Sequence, residues 1–278
     1  MGNVLFWNAK KQQDSDLLSQ MALEFDVKLL LIAELGISPA KVLLSLNKSG
    51  TRFRFHPSVD GIEQVAVFSV FPRRCIKQRR DFRRLRILHI QPVWGFDFLL
   101  AVAHLHSKLY LTDDDQSQLC TEYSKVIHEE EDRVGHTRTV LVGDLNMSPF
   151  EKGMVSGHGF HAVNSRTKAE SRVRSIVGAE SRRFFYNPMW RFLGERGEHP
   201  PGTYHYSGNR PIEFFWYAFD QVLVRPDLLP SFDDDLLKIV QSVNGESLLT
   251  RSGIPNRRKY SDHLPIVFSL DYEGNMKS

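Results

Sequence analysis

Four separate apolar runs in this chain each meet, at one end, a side chain able to hold a cation or move a proton. Val4-Leu5-Phe6-Trp7 ends in Asn8, and Leu29-Leu30-Leu31-Ile32-Ala33 ends in Glu34. Leu141-Val142-Gly143 runs into Asp144, with Asn146 two positions on, and Leu264–Leu270 follows directly on Ser261-Asp262-His263. Runs this short and this apolar read as strands buried on both faces, which can place polar groups only where they end. One such end is ordinary, and Gly143-Asp144-x-Asn146 alone reads equally well as a turn. The same pattern at four strands points to a shared site. Hard oxygen donors at strand ends suit Mg²⁺, or a phosphate held beside it.

Strand-like runs also cover Lys28–Glu34, Arg52–His56, Gln64–Phe71, Leu85–Ile90, Phe98–Leu105 and Phe219–Val224. Helical periodicity fits Asp14–Phe25, Pro39–Leu46 and Asp115–Asp132. Strand pairs alternate with helices, which predicts a mixed sheet rather than a strict βαβ series. At 278 residues the chain can bury one large core, and a single domain over 1–278 is expected. The longest apolar stretches are strand-sized, so no transmembrane helix is expected, and the N-terminus enters its first strand without a secretory signal. Two cysteines, Cys75 and Cys120, make neither a disulfide framework nor a zinc site, which reads as a reducing, cytoplasmic setting.

Taken in order, "WN" at Trp7-Asn8, a strand ending in Glu34, "GDxN" at Gly143–Asn146 and "SDH" at Ser261–His263 resemble the endonuclease/exonuclease/phosphatase superfamily, the DNase I-like phosphoesterases. A strand ending in His104 and the segment Phe219–Val224, similar to that family's "xDxxLV", fall where the resemblance requires. It runs from about Val4 to Leu270, with Ala33 departing from the Gln or Thr of many members. The resemblance implies a four-layer α/β sandwich, with two central mixed sheets flanked by helices. It also implies hydrolysis of a phosphate ester with Mg²⁺, for which Mn²⁺ can substitute.

Glu34 is the expected metal carboxylate, because a full negative charge at the end of an apolar strand is costly without a cation. Asn8 stands beside it as a neutral ligand or orienter, and Asp262 completes the shell. His263 is the expected general base, since an imidazole accepts a proton near neutrality. The family's pattern implies that Asp220 holds its other ring nitrogen. Asp262 and His263 are neighbours, so both can serve one site only where the backbone turns ahead of a strand. By resemblance Asn146 touches the scissile phosphate, while Asp144 binds metal or positions water or the leaving group. His104 contacts the phosphate or acts as acid, with His106 competing for that role.

Between Arg73 and Arg86 eight cations face one aspartate, a local +7 in a chain of net +3, so the remainder carries −4. Such a field attracts polyanions, although a solvated hairpin without a ligand fits the same composition. The acidic runs Asp113–Asp115, Glu129–Asp132 and Asp233–Asp235 read as solvated helix ends or faces. Arg257, Arg258 and Lys259 precede Ser261 and are expected at the rim of the site, as substrate-binding residues. Twelve aromatic residues between Phe184 and Phe219, with several prolines, predict long loops packed by their own rings on the sheet near the substrate, although simple core filling accounts for most of these rings. Arginine forks favour nucleic acid, so the expected activity is a DNA or RNA endo- or exonuclease. A metal-dependent phosphatase of a phosphoinositide, sphingolipid or other small phosphate ester is the alternative, and a degenerate binding module is a third. No obligate protein partner is implied.

Overall fold

The computed structural model describes residues 1–274 except 62, 110, 177, 178, 196–198 and 210. The apolar runs form two sheets, with strands numbered in chain order. The first has six strands: β1 (Gly2–Asn8), β2 (Val27–Ala33), β3 (Arg54–His56), β4 (Val65–Ser69), β12 (Lys238–Ile239) and β13 (Ile266–Leu270). The second has seven: β5 (Ile76–Phe82), β6 (Leu85–Ile90), β7 (Phe98–His104), β8 (Thr139–Asp144), β9 (Ala162–Val163), β10 (Phe185–Tyr186) and β11 (Asp220–Val224). Spatial order is β12-β13-β1-β2-β4-β3 in the first and β5-β6-β7-β8-β11-β10-β9 in the second. Both are mixed. β1 runs parallel to β2 and antiparallel to β13, while β8 runs parallel to β7 and antiparallel to β11.

Side-chain alternation assigns the layers. In β8, Val140 and Val142 enter the core that also holds Leu5, Leu30 and Phe268 of the first sheet. Leu141, between them, faces the other way with Leu99, Cys120, Tyr123 and Ile127. The last three belong to α3 (Asp113–Val134), which covers the outer face of the second sheet. α1 (Ser15–Glu24) and α2 (Pro39–Leu46) bury Leu17, Leu18, Met21, Val42 and Leu46 in the core of the first. Helix, sheet, sheet and helix therefore stack as the family resemblance implies, and both sheets are mixed as the strand and helix patterns predict.

Each of these three helices begins where its sequence provides a cap. Asp14 accepts from the backbone of Asp16 and Leu17, and Ser38 precedes Pro39 at the first turn of α2. Thr112 and Asp115 form a reciprocal capping box, and Gly135, left-handed at φ 77°, closes α3. Asp113–Asp115 are its first turn, as expected. The run Glu129–Asp132 is different. Glu130 and Glu131 are buried, and Glu131 bonds Arg225 at 2.8 Å and Arg183 at 3.0 Å. Arg225 is itself fully buried, with its guanidinium 3.7 Å from the Phe185 ring centroid. These acids fasten α3 to the sheet instead of meeting water.

The region Arg166–Trp216 carries short pieces, including the hairpin Val173–Ile176/Ala179–Arg183, joined by loops; 177, 178, 196–198 and 210 lie outside the described residues. Cys75 and Cys120 are buried and unpaired. No helix among the described residues is long and apolar enough to cross a membrane.

β8 approaches β7 so closely that a Cβ built on Gly143 would lie 1.9 Å from the Ala103 carbonyl oxygen. That atom is central backbone and cannot move aside. Gly143→Ala is expected to cost about 1–3 kcal/mol or more, the usual penalty for overpacking a core. An unchanged urea midpoint would show that the β7–β8 spacing does not require glycine.

Candidate active site

Strand pairing alone brings three of the expected residues to one edge. His104 is in register with Asp144 across the parallel β7–β8 pair, and Asp144 with Asp220 across β8–β11. His263 precedes β13, held by an isolated bridge to Tyr204, by Trp7 Nε1 donating to its carbonyl (2.9 Å), and by its amide donating to Ser261 Oγ (3.1 Å). Ser261 Oγ in turn donates to the Asn8 carbonyl at 2.7 Å, tying this turn to the end of β1. Asp262 and His263 lie ahead of the strand, and both face the cleft.

The cleft, about 370 Å³, is lined by Asn8, Glu34, His104, Asp144, Asn146, Asp262 and His263 among others. Asp144 is buried and receives Asn8 Nδ2 at 2.9 Å and the Asn146 amide at 3.0 Å. Asn146, left-handed at φ 51°, turns the chain there and donates from Nδ2 to the Leu105 carbonyl at 3.0 Å. Asparagine tolerates this conformation because its short amide bonds locally. His104 Nε2 lies 3.7 Å from Glu34 Oε1 and 3.8 Å from Asp144 Oδ2, and His263 Nε2 lies 3.9 Å from the same Asp144 oxygen. Asp220 Oδ2 is 2.8 Å from His263 Nδ1.

Burial pushes the His263 imidazole towards the neutral form, but Asp220, Asp144 and Asp262 outweigh it and raise its pKa to about 9. Complete burial pushes the Asp220 carboxyl up, with His263 drawing it back. Asp144, Asp220 and His263 each place one ligand atom within 4.8 Å of the others. The Asp220 oxygen that faces His263 is already committed to the ring, while Asp144 Oδ2, 3.9 Å from the other ring nitrogen, makes no hydrogen bond to it. Glu34 differs. It is left-handed at φ 49°, about a third exposed, and no described residue donates a hydrogen bond to its carboxylate.

The remaining sequence candidates separate. His104 lines the cleft, whereas His106 lines a cavity against α3 with Gln116 and Tyr123. Arg257 and Arg258 line a second groove, also about 370 Å³, that shares Tyr204, Tyr206 and Asp262 with the cleft. Lys259 pairs with Glu246 at 2.9 Å and lines neither. The Arg73–Arg86 cluster is not one anionic-ligand track. Arg79 bonds Glu130, Arg83 pairs with Glu122, and buried Arg86 bonds Gln78 and the Pro57 carbonyl. The hairpin carries Arg83 and Arg84 to the His104 end of the sheet and Arg73 and Arg74 to the other. At that far end His89 and His136 both meet Asp97, whose carboxylate also holds Arg138, so these histidines belong to an ion-paired corner away from the cleft.

Tyr204, Tyr206 and Tyr217, from the aromatic stretch expected near the substrate, line the cleft, as do Lys10 and Lys108, which sequence reasoning missed. Of the two lysines only Lys10 carried a signal, its position two residues after Asn8. Its Nζ pairs with Asp262 Oδ2.

No protein-family model matches the sequence, and no curated protein matches it. Solved structures do. The 3′ phosphatase NExo (D146N) from Neisseria, bound to a product DNA hairpin, aligns at TM-score 0.56 and 14% identity over 98% of this chain and 100% of that one. D. rerio TDP2 complexed with single strand DNA product aligns at TM-score 0.55 and 14% identity, over 97% and 98%. An AP endonuclease from Archaeoglobus fulgidus aligns at 0.55 and 16%, over 98% and 100%. The chain has the DNase I-like fold. At these identities the likeness fixes the architecture, and the chemistry has to come from the cleft.

The His263–Asp220 pair links protonation to folding. A folded pKa of about 9 lies above the usual histidine value, so the pair stabilises fully below about pH 6.5 and loses that contribution as pH rises through 9. Denaturation of metal-free protein at pH 6.5 and 9.5 is expected to show this loss, and Asp220→Asn to flatten it. An identical pH slope in the variant would break the link between the two residues.

Proposed function

We propose that the protein is a metal-dependent phosphodiesterase acting on nucleic acid, a nuclease of DNA or RNA. One observation carries this reading: an imidazole oriented by a buried carboxylate, a second imidazole, a buried Asp–Asn pair and a glutamate with no hydrogen-bond donor among the described residues share one cleft. That set matches what phosphodiester hydrolysis needs, namely a base for water, charge stabilisation on the phosphoryl oxygens, and help for the leaving oxygen.

The cleft fits a divalent cation. Glu34 offers a carboxylate with free lone pairs, and Asn8 at the end of the adjacent strand offers a neutral oxygen, the donor types that Mg²⁺ and Mn²⁺ prefer. Bound there, such an ion would neutralise phosphoryl charge and stabilise the leaving oxygen. His263, as its neutral form becomes available with rising pH, takes a proton from water at Nε2 while Nδ1–H stays on Asp220. Asn146 and His104 contact the phosphate, and Asp144, with Oδ2 3.8 Å from His104 Nε2 and 3.9 Å from His263 Nε2, positions the water or the leaving group between them. Asp262 faces the same space.

A polynucleotide fits the surroundings better than a small headgroup. Ring contacts lead from His263 outward through Tyr204 (4.7 Å), Phe219 (5.3 Å), Tyr217 (4.9 Å), Phe214 (6.2 Å) and Phe150 (5.5 Å between centroids). Phe214 is 56% exposed, so part of its face is open to a ligand. Bases stack on such faces, and Arg257 and Arg258 in the adjoining groove suit the next phosphates. An inositol phosphate has no planar face to place there.

Two outcomes test this. Chelator-sensitive cleavage of a polynucleotide is expected, with His263→Ala and Glu34→Gln each lowering the rate by about 10² or more. Wild-type turnover in either variant would remove that residue from its role. Reversing Arg257 and Arg258 to Glu is expected to make the salt dependence of DNA binding shallower by about 2 in log–log slope, one for each lost phosphate contact. An unchanged slope would take the second groove off the strand's path.

A further inference from the structure

We infer that Lys10 is a fixed cation of the cleft: its ammonium, rather than a second metal ion, meets both Asp262 and an oxygen of the bound phosphate. The site then holds one divalent cation, at Glu34. This rests on the phosphodiesterase reading, and it sets the charge inventory with which that reaction is run.

The backbone shows that Lys10 is placed rather than merely present. Lys10 and Lys11 are consecutive non-glycine residues at φ 45° and 62°, a conformation costly for residues with a Cβ unless surrounding contacts enforce it. Those contacts are on both sides of the turn. The Lys10 amide donates to Asn8 Oδ1 at 3.1 Å, and the Lys11 amide donates to the Glu34 carbonyl at 2.7 Å. Gly36 closes over the turn so tightly that a Cβ there would lie 2.1 Å from the Lys11 carbonyl oxygen. The turn is thus bonded to the segments that carry Asn8 and Glu34, and it roots the Lys10 side chain in the cleft wall.

The partners of the three acids in the cleft give the cation count. Asp144 is satisfied by Asn8 and Asn146, and Asp262 pairs with Lys10. Glu34 has no hydrogen-bond donor among the described residues. Lys108, the other lysine of the cleft, is paired with Asp113 and Glu151. Lys10 is roughly half exposed while Asp262 is mostly covered, so the ammonium keeps donors free on its open side. An ammonium has three, enough to hold a carboxylate and a phosphoryl oxygen together.

The test counts Mn²⁺ bound to the intact protein by electron paramagnetic resonance and follows bis(p-nitrophenyl) phosphate hydrolysis in parallel. Wild type is expected to bind one Mn²⁺, lost in Glu34→Gln and retained in Asp262→Asn. Lys10→Met is expected to keep its fold, as judged by circular dichroism, and to lose about 10²-fold in kcat/KM, as for removal of an electrostatic donor. Lys10→Arg is expected to recover part of that loss. Two bound Mn²⁺ in wild type with one lost in Asp262→Asn, or Lys10→Met at wild-type kcat/KM, would overturn the inference. Wild-type protein inert towards both the diester and a polynucleotide would instead overturn the proposed function, and the Mn²⁺ count would still decide whether Lys10 stands in for an ion.

Discussion

A buried hydrogen bond, alongside the one between His263 and Asp220, joins the polar ends of the two sheets. Asn8 Nδ2, at the end of β1, donates to Asp144 Oδ2, at the end of β8, across 2.9 Å. A carboxylate this buried is tolerated only when its lone pairs are filled, and Asn8 and the Asn146 amide fill them. Both side chains belong to strands whose apolar bodies pack in the shared core. The core therefore sets the distance between the sheets and this bond sets how their ends meet. Glu34 sits on the strand beside β1, and His104 and Asp220 sit on the strands beside β8, so each inherits its position from that junction.

The same logic explains which parts could be read from the sequence. A strand buried on both faces must release its polar groups at its ends, so Asn8, Glu34, Asp144 and His104 stood out against apolar runs. Their convergence was implied by the repeated pattern and the family resemblance, but the strand order that produces it could not be read: β11 pairs with β8 across a long, irregular stretch, and nothing local says so. Charge was misread for a related reason. Composition shows the sign of Arg79, Arg83 and Arg86 but not that Glu130, Glu122 and Gln78 await them. Glu130 and Glu131 looked solvated because their burial depends on arginines far away in the chain. Lys259 and Lys10 failed in opposite directions. The first is near the site in sequence and occupied elsewhere, while the second pairs with a residue 252 positions on.

Stability and chemistry use the same residue types here in different settings. Arg225 and Glu131 are both fully buried, in contact with each other and with Phe185, and so act as a strut between α3 and the second sheet. Asp97 with His89, His136 and Arg138 plays a comparable part at the far end. What sets the cleft apart is incompleteness: a glutamate with no donor among the described residues, an imidazole edge facing a carboxylate at 3.9 Å, and exposed rings leading outward. Groups that a fold leaves unsatisfied at one place are the ones a ligand can complete.

The central claim is that a cation bound at Glu34 lies among both cleft imidazoles and away from every other histidine pair. Paramagnetic broadening of histidine ring resonances by substoichiometric Mn²⁺ tests this directly. His104 and His263 are expected to broaden first, His89 and His136 to stay sharp, and Glu34→Gln to abolish the effect. Broadening centred on His89 and His136, or unchanged in Glu34→Gln, would contradict the account.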